Sequence, residues 1–192
     1  MTTPQFPSDK AQLREVVRER RKSLTAGASD VRASAVAINA AQLLREWGIY
    51  DGVVAAFVSF GHEPPTDLLI TGLEGLGYDI ILPRVVSPER LEWLRYEGLL
   101  ESDLLGIEAP AAGTPLSLSD ARAVFIPALA AANDGSRLGR GAGYYDRELE
   151  NVPRFEAGGP LRIGVIDEAG LLPEGAIPMD AHDQWLDALI VG

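Results

Sequence analysis

Residues 124–147 have the sequence VFIPALAAANDGSRLGRGAGYYDR, a short apolar strand followed by a glycine-rich loop and the start of a helix. The glycines of the loop are Gly135, Gly139, Gly141 and Gly143. Glycine lets a backbone approach a ligand closely, and successive bare N–H groups form a concavity that attracts anions. Arg137 and Arg140 lie among these glycines, and a guanidinium group matches phosphate oxygens. The stretch therefore predicts a loop that binds nucleotide phosphates.

Two common nucleotide motifs are excluded by the spacing of this loop. A Walker A loop needs a Gly-Lys pair, which the chain lacks. The dinucleotide fingerprint G-x-G-x-x-G begins at Gly139 and Gly141, but Tyr144 stands where its last glycine is required. A simple surface loop between a strand and a helix is the alternative interpretation, because such loops are often rich in glycine.

The composition is that of one globular domain. The chain has 192 residues, of which 46% are hydrophobic and 23% are charged, enough for a sizeable core. The absence of cysteine excludes disulfides, and two histidines make a His-rich zinc site improbable. No apolar run approaches the roughly 18–20 residues of a membrane span, and the N-terminal sequence lacks an apolar signal core. We expect a cytoplasmic protein, and a monomer, because no apolar stripe suggests a large interface.

The charge is negative overall but uneven along the chain. A net charge of −11 argues against non-specific binding to nucleic acid or to anionic membranes. Residues 1–32 nevertheless have seven Lys/Arg against four Asp/Glu, a net charge of +3. The first predicted helix, from Ser8 to about Leu24, contains most of these cations. This helix either faces a nucleotide or is a solvated helix that pairs with the acidic body.

Hydrophobic periodicity predicts further helices and several buried strands. The clearest helix covers residues 30–47, with its apolar positions at a 3.6-residue period, and shorter helices are predicted over 66–76 and 144–151. The predicted strands are 53–58, 79–82, 91–96, 123–126, 162–166 and 186–191, with the second stopped at Pro83-Arg84. Residues 1–7 are expected to form a flexible arm, and residues 97–120 mostly a loop.

Apolar strands alternating with helices predict a single α/β domain over residues 1–192, with a mainly parallel sheet covered by helices on both faces. In such sheets ligands bind beyond the carboxyl ends of the strands. The glycine loop, the segment SFGHE at 59–63 and Pro83-Arg84 each follow a predicted strand. We therefore expect these three segments to meet at the carboxyl ends of the strands.

The glycine loop and several other segments resemble the 5-formyltetrahydrofolate cyclo-ligase family, whose members are also called methenyltetrahydrofolate synthetases. GSRLGRGAGYYDR at 135–147 is similar to the nucleotide loop of that family. Weaker matches occur in the same order along the chain: KAQLR at 10–14, SFGHEPPT at 59–66, LPR at 82–84, GIEAP at 106–110 and AHD at 181–183. Together they span nearly the whole sequence. The sequence departs from the family pattern at two places in the part expected to bind folate. The loop at 62–66 has two prolines after its glutamate, and IDEAG at 166–170 lacks an expected aromatic residue.

The resemblance implies the use of ATP and Mg²⁺ to convert 5-formyltetrahydrofolate into 5,10-methenyltetrahydrofolate, with release of ADP and phosphate. It also implies small-molecule partners only. Transfer of the γ-phosphoryl group to the formyl oxygen makes that oxygen a leaving group, and N10 then closes the ring. The protein would mainly position the reactants and stabilise charge.

The resemblance also implies roles for individual residues. Arg140, Lys10 and Tyr145 would be catalytic, and Asp146 and Asp183 would hold the magnesium ion. Glu63, Phe60, Arg140 and Tyr144 would bind the folate. The ATP site would comprise Lys10, Arg14, Gly135, Ser136, Arg137, Leu138, Gly139, Arg140, Gly141, Ala142 and Gly143.

Each role has a structural alternative. Lys10 and Arg14 could form a solvated basic face, one of the two tyrosines could pack in the core, Asp183 could cap a turn, and Glu63 could be an exposed loop acid. Two functional alternatives also stay open: a relative that uses ATP on another small amide or heterocycle, and a nucleotide-binding module without catalysis.

Overall fold

Five parallel strands and one antiparallel edge strand form the central sheet of the structure, a computed structural model that describes residues 6–22 and 29–192. The strands are β1 (Val53–Ala55), β2 (Asp79–Ser87), β3 (Arg90–Arg95), β4 (Leu100–Ser102), β5 (Glu108–Pro110), β6 (Ala123–Pro127), β7 (Ala130–Ala131), β8 (Arg137–Leu138), β9 (Leu161–Ile166) and β10 (Ala188–Val191). The helices are α1 (Lys10–Lys22), α2 (Ser29–Glu46), α3 (Asp67–Gly75) and α4 (Tyr144–Leu149).

The sheet has the strand order β10-β9-β6-β1-β2-β3, and only β3 is antiparallel to its neighbour. The central strands β6 and β9 are almost completely buried, as expected for apolar strands of a parallel sheet. Short strands β4 and β5 form one hairpin, and β7 and β8 form another.

Helices cover both faces of the sheet. On one face α2 and α3 bury Val36, Leu44 and Leu73 against the strands. On the other face lie α4 and a 3-10 turn over residues 118–120, which contribute Leu149 and Leu118 to a second apolar cluster. The predicted α/β architecture with a mainly parallel, doubly covered sheet is therefore confirmed.

Helix α1 packs across the segments that follow β6 and β9. Its buried residues Leu13 and Val17 contact Leu129, Leu138 and Leu172. Of the arm expected over residues 1–7, positions 1–5 lie outside the described residues, and Phe6 packs in part against the same cluster. The predicted end of this helix near residue 24 also lies outside the described residues.

Two predicted strand ends were wrong by three or more residues. Strand β2 does not stop at Pro83 but continues to Ser87, in antiparallel register with β3. Proline is tolerated there because β1 ends at Ala55, which leaves β2 with a strand neighbour on one side only. The strand predicted over 53–58 ends early, at Ala55. Residues 97–120 are mostly loop, as predicted, although they contain the short β4–β5 hairpin and the 3-10 turn at 118–120. In the described ranges 6–22 and 29–192, no helix is both long and apolar enough to cross a bilayer.

Candidate active site

A cavity of about 500 Å³ opens at the carboxyl ends of β1, β2 and β6. Its wall includes segments from all three strand ends, as the strand order predicted, although Arg84 instead contacts Pro110 and Glu101 at the β4–β5 hairpin. The sequence-predicted residues in the wall are Lys10, Arg14, Phe60, Glu63, Arg137, Leu138, Gly139, Arg140, Gly141, Ala142, Gly143, Tyr144, Tyr145, Asp146 and Asp183.

Gly135 and Ser136 do not lie at this cavity. They form the turn of the β7–β8 hairpin, where Gly135 has a φ of +86° and a β-carbon would come within 2.6 Å of the Leu186 carbonyl oxygen. Ser136 is buried, and its hydroxyl donates to the Asp134 carboxylate at 2.5 Å. Both residues hold the hairpin in shape, so we leave them out of the ATP site proposed below.

The rest of the glycine loop forms one wall of the cavity, where protein groups already pair with its polar atoms. Arg14 Nε donates to the Gly139 carbonyl at 2.9 Å, and Arg137 forms an ion pair with Asp146. Gly143, with a φ of +71°, turns the chain directly into α4, which begins with both tyrosines and Asp146. The loop thus places the guanidinium groups of Arg137 and Arg140, together with several backbone amides, along the same wall.

Lys10 reaches the same wall from α1. Its ammonium group donates to the Asp180 carboxylate at 2.7 Å and also to Asp183. Desolvation lowers the pKa of Lys10, but the hydrogen bonds and negative charges of the two aspartates outweigh it, so the pKa is raised. For Asp183, burial raises the pKa, but the hydrogen bonds from Lys10 and the Asp180 amide outweigh it and lower the pKa. Both groups are therefore charged at neutral pH.

A buried ion pair fixes α1 against the body of the protein. Arg21 Nε lies 2.6 Å from the Asp167 carboxylate at the end of β9, and an Nη of Arg21 donates to the Ala128 carbonyl at 3.0 Å. The cost of burying these charges is offset only when both are paired and hydrogen-bonded. The basic helix is thus docked, with Lys10 and Arg14 directed into the cavity.

The carboxylates near Lys10 and Arg137 provide oxygen ligands of the kind that Mg²⁺ prefers. Asp146 accepts from Arg137 and from the Gln184 amide at 3.1 Å, while Asp183 accepts from Lys10 and from the Asp180 amide at 2.6 Å. One ligand atom each from Asp180, His182 and Asp183 also lies within 4.8 Å of the others. The carboxylate oxygens of this group fit a small, hard cation.

Glu63 forms a second side of the cavity, in the loop after β1. Its side chain is only 8% exposed, and it accepts from the Phe60 amide at 2.9 Å. Burial raises the pKa of Glu63, an effect only partly offset by the Phe60 hydrogen bond and the Arg140 charge. Glu63 is therefore a buried cavity residue and not an exposed loop acid.

Arg140 connects the glycine loop with the Glu63 loop. Its Nε lies 3.2 Å from a Glu63 carboxylate oxygen, and an Nη donates to the Phe60 carbonyl at 3.0 Å. The guanidinium carbon also lies 5.4 Å from the centre of the Phe60 ring, a cation–π distance. Arg140 thus stands at the boundary between the two sides of the cavity.

The two tyrosines of α4 have different surroundings. Tyr144 donates to the Ser87 carbonyl at 3.3 Å and lies beneath the Arg147 guanidinium. Tyr145 packs edge-on against Trp93, with ring centres 6.0 Å apart. Its buried hydroxyl has no hydrogen-bond partner among the described residues, and burial raises its pKa. Such a hydroxyl stays protonated and is available to donate to a ligand.

Sequence reasoning missed one part of the wall, which the tip of the β4–β5 hairpin supplies: Asp103, Leu105, Ile107 and Glu108. Asp103 organises this tip, since its carboxylate accepts from the amides of Leu105 and Ile107 at 2.8 and 3.0 Å. The available signal was Asp103 followed by Gly106, residue types that favour the first and last positions of a type I turn.

Comparison with known proteins agrees with this geometry. A sequence model of the 5-formyltetrahydrofolate cyclo-ligase family matches residues 7–192. The 5-formyltetrahydrofolate cyclo-ligase of Mycolicibacterium smegmatis is 33% identical over 189 residues, 92% of this chain and 90% of that protein. The corresponding enzyme of Haemophilus influenzae is 31% identical over 147 residues, 73% of this chain and 77% of that protein.

Solved structures show the same fold. The Aquifex aeolicus 5,10-methenyltetrahydrofolate synthetase superposes with a TM-score of 0.77 and 27% identity, covering 95% of this chain and 89% of that one. The synthetase from Mycoplasma pneumoniae gives a TM-score of 0.74 at 20% identity, covering 95% and 98%, and supports the fold alone. The resemblance seen in the sequence is confirmed: the chain belongs to the 5-formyltetrahydrofolate cyclo-ligase family, a family of ligases.

Proposed function

We propose that this protein uses ATP and Mg²⁺ to convert 5-formyltetrahydrofolate into 5,10-methenyltetrahydrofolate, releasing ADP and phosphate. The observation that carries the proposal is the position of Arg140. It extends from the glycine loop and contacts Glu63 and Phe60, which line a second side of the same cavity. A phosphoryl group passing between a nucleotide on one side and a formyl group on the other would pass beside this guanidinium.

The chemical problem is a poor leaving group. The formyl oxygen attacks the γ-phosphorus, the bond from that phosphorus to the β–γ bridging oxygen breaks, and ADP leaves. N10 then attacks the formyl carbon and loses its proton, and the carbon–oxygen bond breaks as phosphate departs with the original formyl oxygen. In phosphoryl transfer the protein contributes mostly by positioning the reactants and stabilising the charge.

On the nucleotide side, Lys10, Arg14 and Arg137 would bind phosphate oxygens, with backbone amides of residues 139–143 completing the contacts. What supports this is their common position on the cavity wall and the cationic character of all three side chains. Arg140 would stabilise the charge on the transferring group. Preorganised donors in a site shielded from water are worth more than the same donors in solution.

The Mg²⁺ ion would be held by Asp146 and Asp183. Both carboxylates line the cavity, and in this structure both are paired with cations, Arg137 and Lys10. When bound, the ion would neutralise part of the phosphate charge. These pairs would then loosen, because the aspartates would bind the ion while Lys10 and Arg137 bind the phosphates.

On the folate side, Glu63 would accept N–H bonds from the polar edge of the reduced pterin. Phe60 and Tyr144 would contact its rings. The Tyr145 hydroxyl, which lacks a partner in the described residues, would donate to the formyl group or to the pterin. Because it is held protonated, it can act as a donor throughout the reaction.

The test is a spectroscopic assay for the conjugated methenyl product, with 5-formyl- and 10-formyltetrahydrofolate compared side by side in the presence of ATP and Mg²⁺. We expect product only from the 5-formyl compound and one ADP for each product molecule. Turnover of another amide alone would favour the alternative of a family relative that uses ATP on another small amide or heterocycle. ATP binding without turnover of any reduced folate would favour a non-catalytic module.

We further propose that the chain works as a single-domain monomer, as its sequence predicts. Light scattering in the presence and absence of both substrates measures this directly, and a concentration-dependent dimer would contradict it.

A further inference from the structure

Arg162 is a buried cation outside the cavity wall. It lies in the central strand β9 and is 1% exposed. Burial lowers its pKa, and no described carboxylate forms an ion pair with its guanidinium. An apolar residue at this position of a parallel sheet would avoid the cost of desolvating a charge. The contacts of the guanidinium therefore call for an explanation.

All the hydrogen bonds of this guanidinium go to neutral oxygens of two segments. One Nη donates to Gln184 Oε1 at 2.9 Å. The other donates to the Val152 carbonyl at 2.7 Å and, more weakly, to the Leu149 and Pro153 carbonyls at 3.4 and 3.5 Å. Arg162 thus joins the segment around Gln184 to the carboxyl end of α4.

Both of these segments carry a proposed magnesium ligand. Asp146 lies in the first turn of α4, and Asp183 precedes Gln184 in the chain. Moreover, the backbone amide of Gln184 donates to Asp146 Oδ1 at 3.1 Å. The guanidinium is rigid and planar, so its donors fix the directions of the groups they contact. One buried side chain therefore connects the two segments that supply the carboxylates.

We propose that Arg162, acting through Gln184, is a positioning residue that sets the placement of the Asp146 and Asp183 carboxylates for a magnesium–nucleotide complex. This inference rests on the function proposed above. Groups that orient metal ligands from outside the coordination sphere typically change metal affinity by about 10- to 100-fold when they are altered. The same range is expected here for Mg²⁺-dependent nucleotide binding.

The test measures ATP binding by calorimetry, with excess Mg²⁺ and with EDTA, in wild type and in Gln184→Met. Methionine is similar in length to glutamine but lacks the amide oxygen that accepts from Arg162, and residue 184 is only half-buried. We expect affinity for Mg-ATP to fall about tenfold and affinity for metal-free ATP to stay unchanged. Arg162→Met is expected to act in the same way, and the double variant to lose no more than the larger single effect, because both changes break one connection.

Arg154→Ala is the matched control. Arg154 contacts the Trp185 carbonyl and Asp187 in the same segment, at 3.0 Å each, but not Gln184 or α4. Its Mg-ATP affinity should equal that of wild type. If Arg162→Met fails to fold, Gln184→Met decides the question alone.

Two negative results are distinguishable. Normal Mg-ATP affinity in a folded Gln184→Met protein overturns this inference while the proposed function stands. Wild-type protein whose ATP binding is indifferent to Mg²⁺, and which forms no methenyl product, overturns the proposed function and this inference with it.

Discussion

The two sides of the cavity differ in how completely they are built before any ligand arrives. On the side proposed to bind the nucleotide, Lys10 and Arg137 are held in ion pairs, and Arg14 is bonded to the glycine loop. On the side proposed to bind the folate, Phe60 is 46% exposed and Leu105 is 54% exposed. Only Arg140 connects Glu63 and Phe60 to the glycine loop through the hydrogen bonds and ion pairs described here.

This difference is what the chemistry of the two proposed substrates would require. A triphosphate needs several cations at fixed positions, and in its absence those cations need anionic partners to offset their desolvation. A pterin instead offers an apolar ring surface with one polar edge. The apolar side chains that would contact this surface can be partly exposed to solvent at a modest cost in stability, because solvent-exposed apolar residues are ordinary. The following experiments separate the two sides, in order of expected effect.

Arg140→Ala should lower kcat about 10²- to 10³-fold, the usual cost of losing a donor that stabilises developing charge. The measurement is the rate of methenyl product formation at saturating substrates. Arg122→Ala is the control, because Arg122 is exposed and lies at the amino end of β6, away from the carboxyl ends where the cavity opens. A kcat within twofold of wild type for Arg140→Ala would place this residue outside the chemical step.

Lys10→Ala should raise the KM for ATP about 10- to 100-fold, since hydrogen bonds to charged groups contribute roughly 1.5–3 kcal/mol. The KM for folate should change little. Lys22→Ala provides the comparison, because Lys22 lies in the same helix but is exposed and pairs with Glu19 of that helix. Equal effects of the two changes would mean that α1 contributes only its general charge.

Glu63→Ala should raise the KM for folate about tenfold and leave calorimetric ATP affinity nearly intact. The same change at exposed Glu97 should affect neither quantity. Equal loss of ATP and folate binding in Glu63→Ala would contradict the division of the cavity into two sides.

Leu105→Ala should raise the KM for folate about three- to fivefold, because the substrate would cover the equivalent of one of the three carbon atoms removed, and each buried CH₂ contributes roughly 0.8 kcal/mol. The adjacent Leu104 is a close match: it is 63% exposed but does not line the cavity. If Leu104→Ala and Leu105→Ala behave alike, the hairpin tip does not contact the folate.

The smallest effect concerns stability and pH. Because burial raises the folded-state pKa of Glu63, the unfolded chain loses this proton first as the pH rises. Wild type should therefore lose stability relative to Glu63→Gln above the ordinary glutamate pKa, and the loss should be complete once the pH exceeds the folded-state pKa. Urea unfolding of both proteins between pH 4 and pH 8 measures this, and a constant difference would contradict the raised pKa.

The sequence predicted the glycine-loop side of the cavity wall more fully than the hairpin side, for a physical reason. Residues 137–146 are contiguous, so glycines, arginines and an aspartate in one stretch already indicate their common site. The hairpin tip at Leu105 joins the cavity only through tertiary packing, and β2 passes through Pro83 because of a missing neighbour strand. Gly135 and Ser136 share the composition of the loop but serve the turn of a hairpin. Arg162 gave no signal at all, because nothing in its local sequence marks a buried guanidinium.

The central claim is that the formyl oxygen receives the γ-phosphoryl group of ATP within this one cavity. It is tested most directly with 5-formyltetrahydrofolate labelled with ¹⁸O in its formyl group. Single-turnover reaction with Mg-ATP, followed by mass spectrometry of the phosphate, should find one ¹⁸O atom in each phosphate formed together with methenyl product. Methenyl product accompanied by unlabelled phosphate would contradict the account.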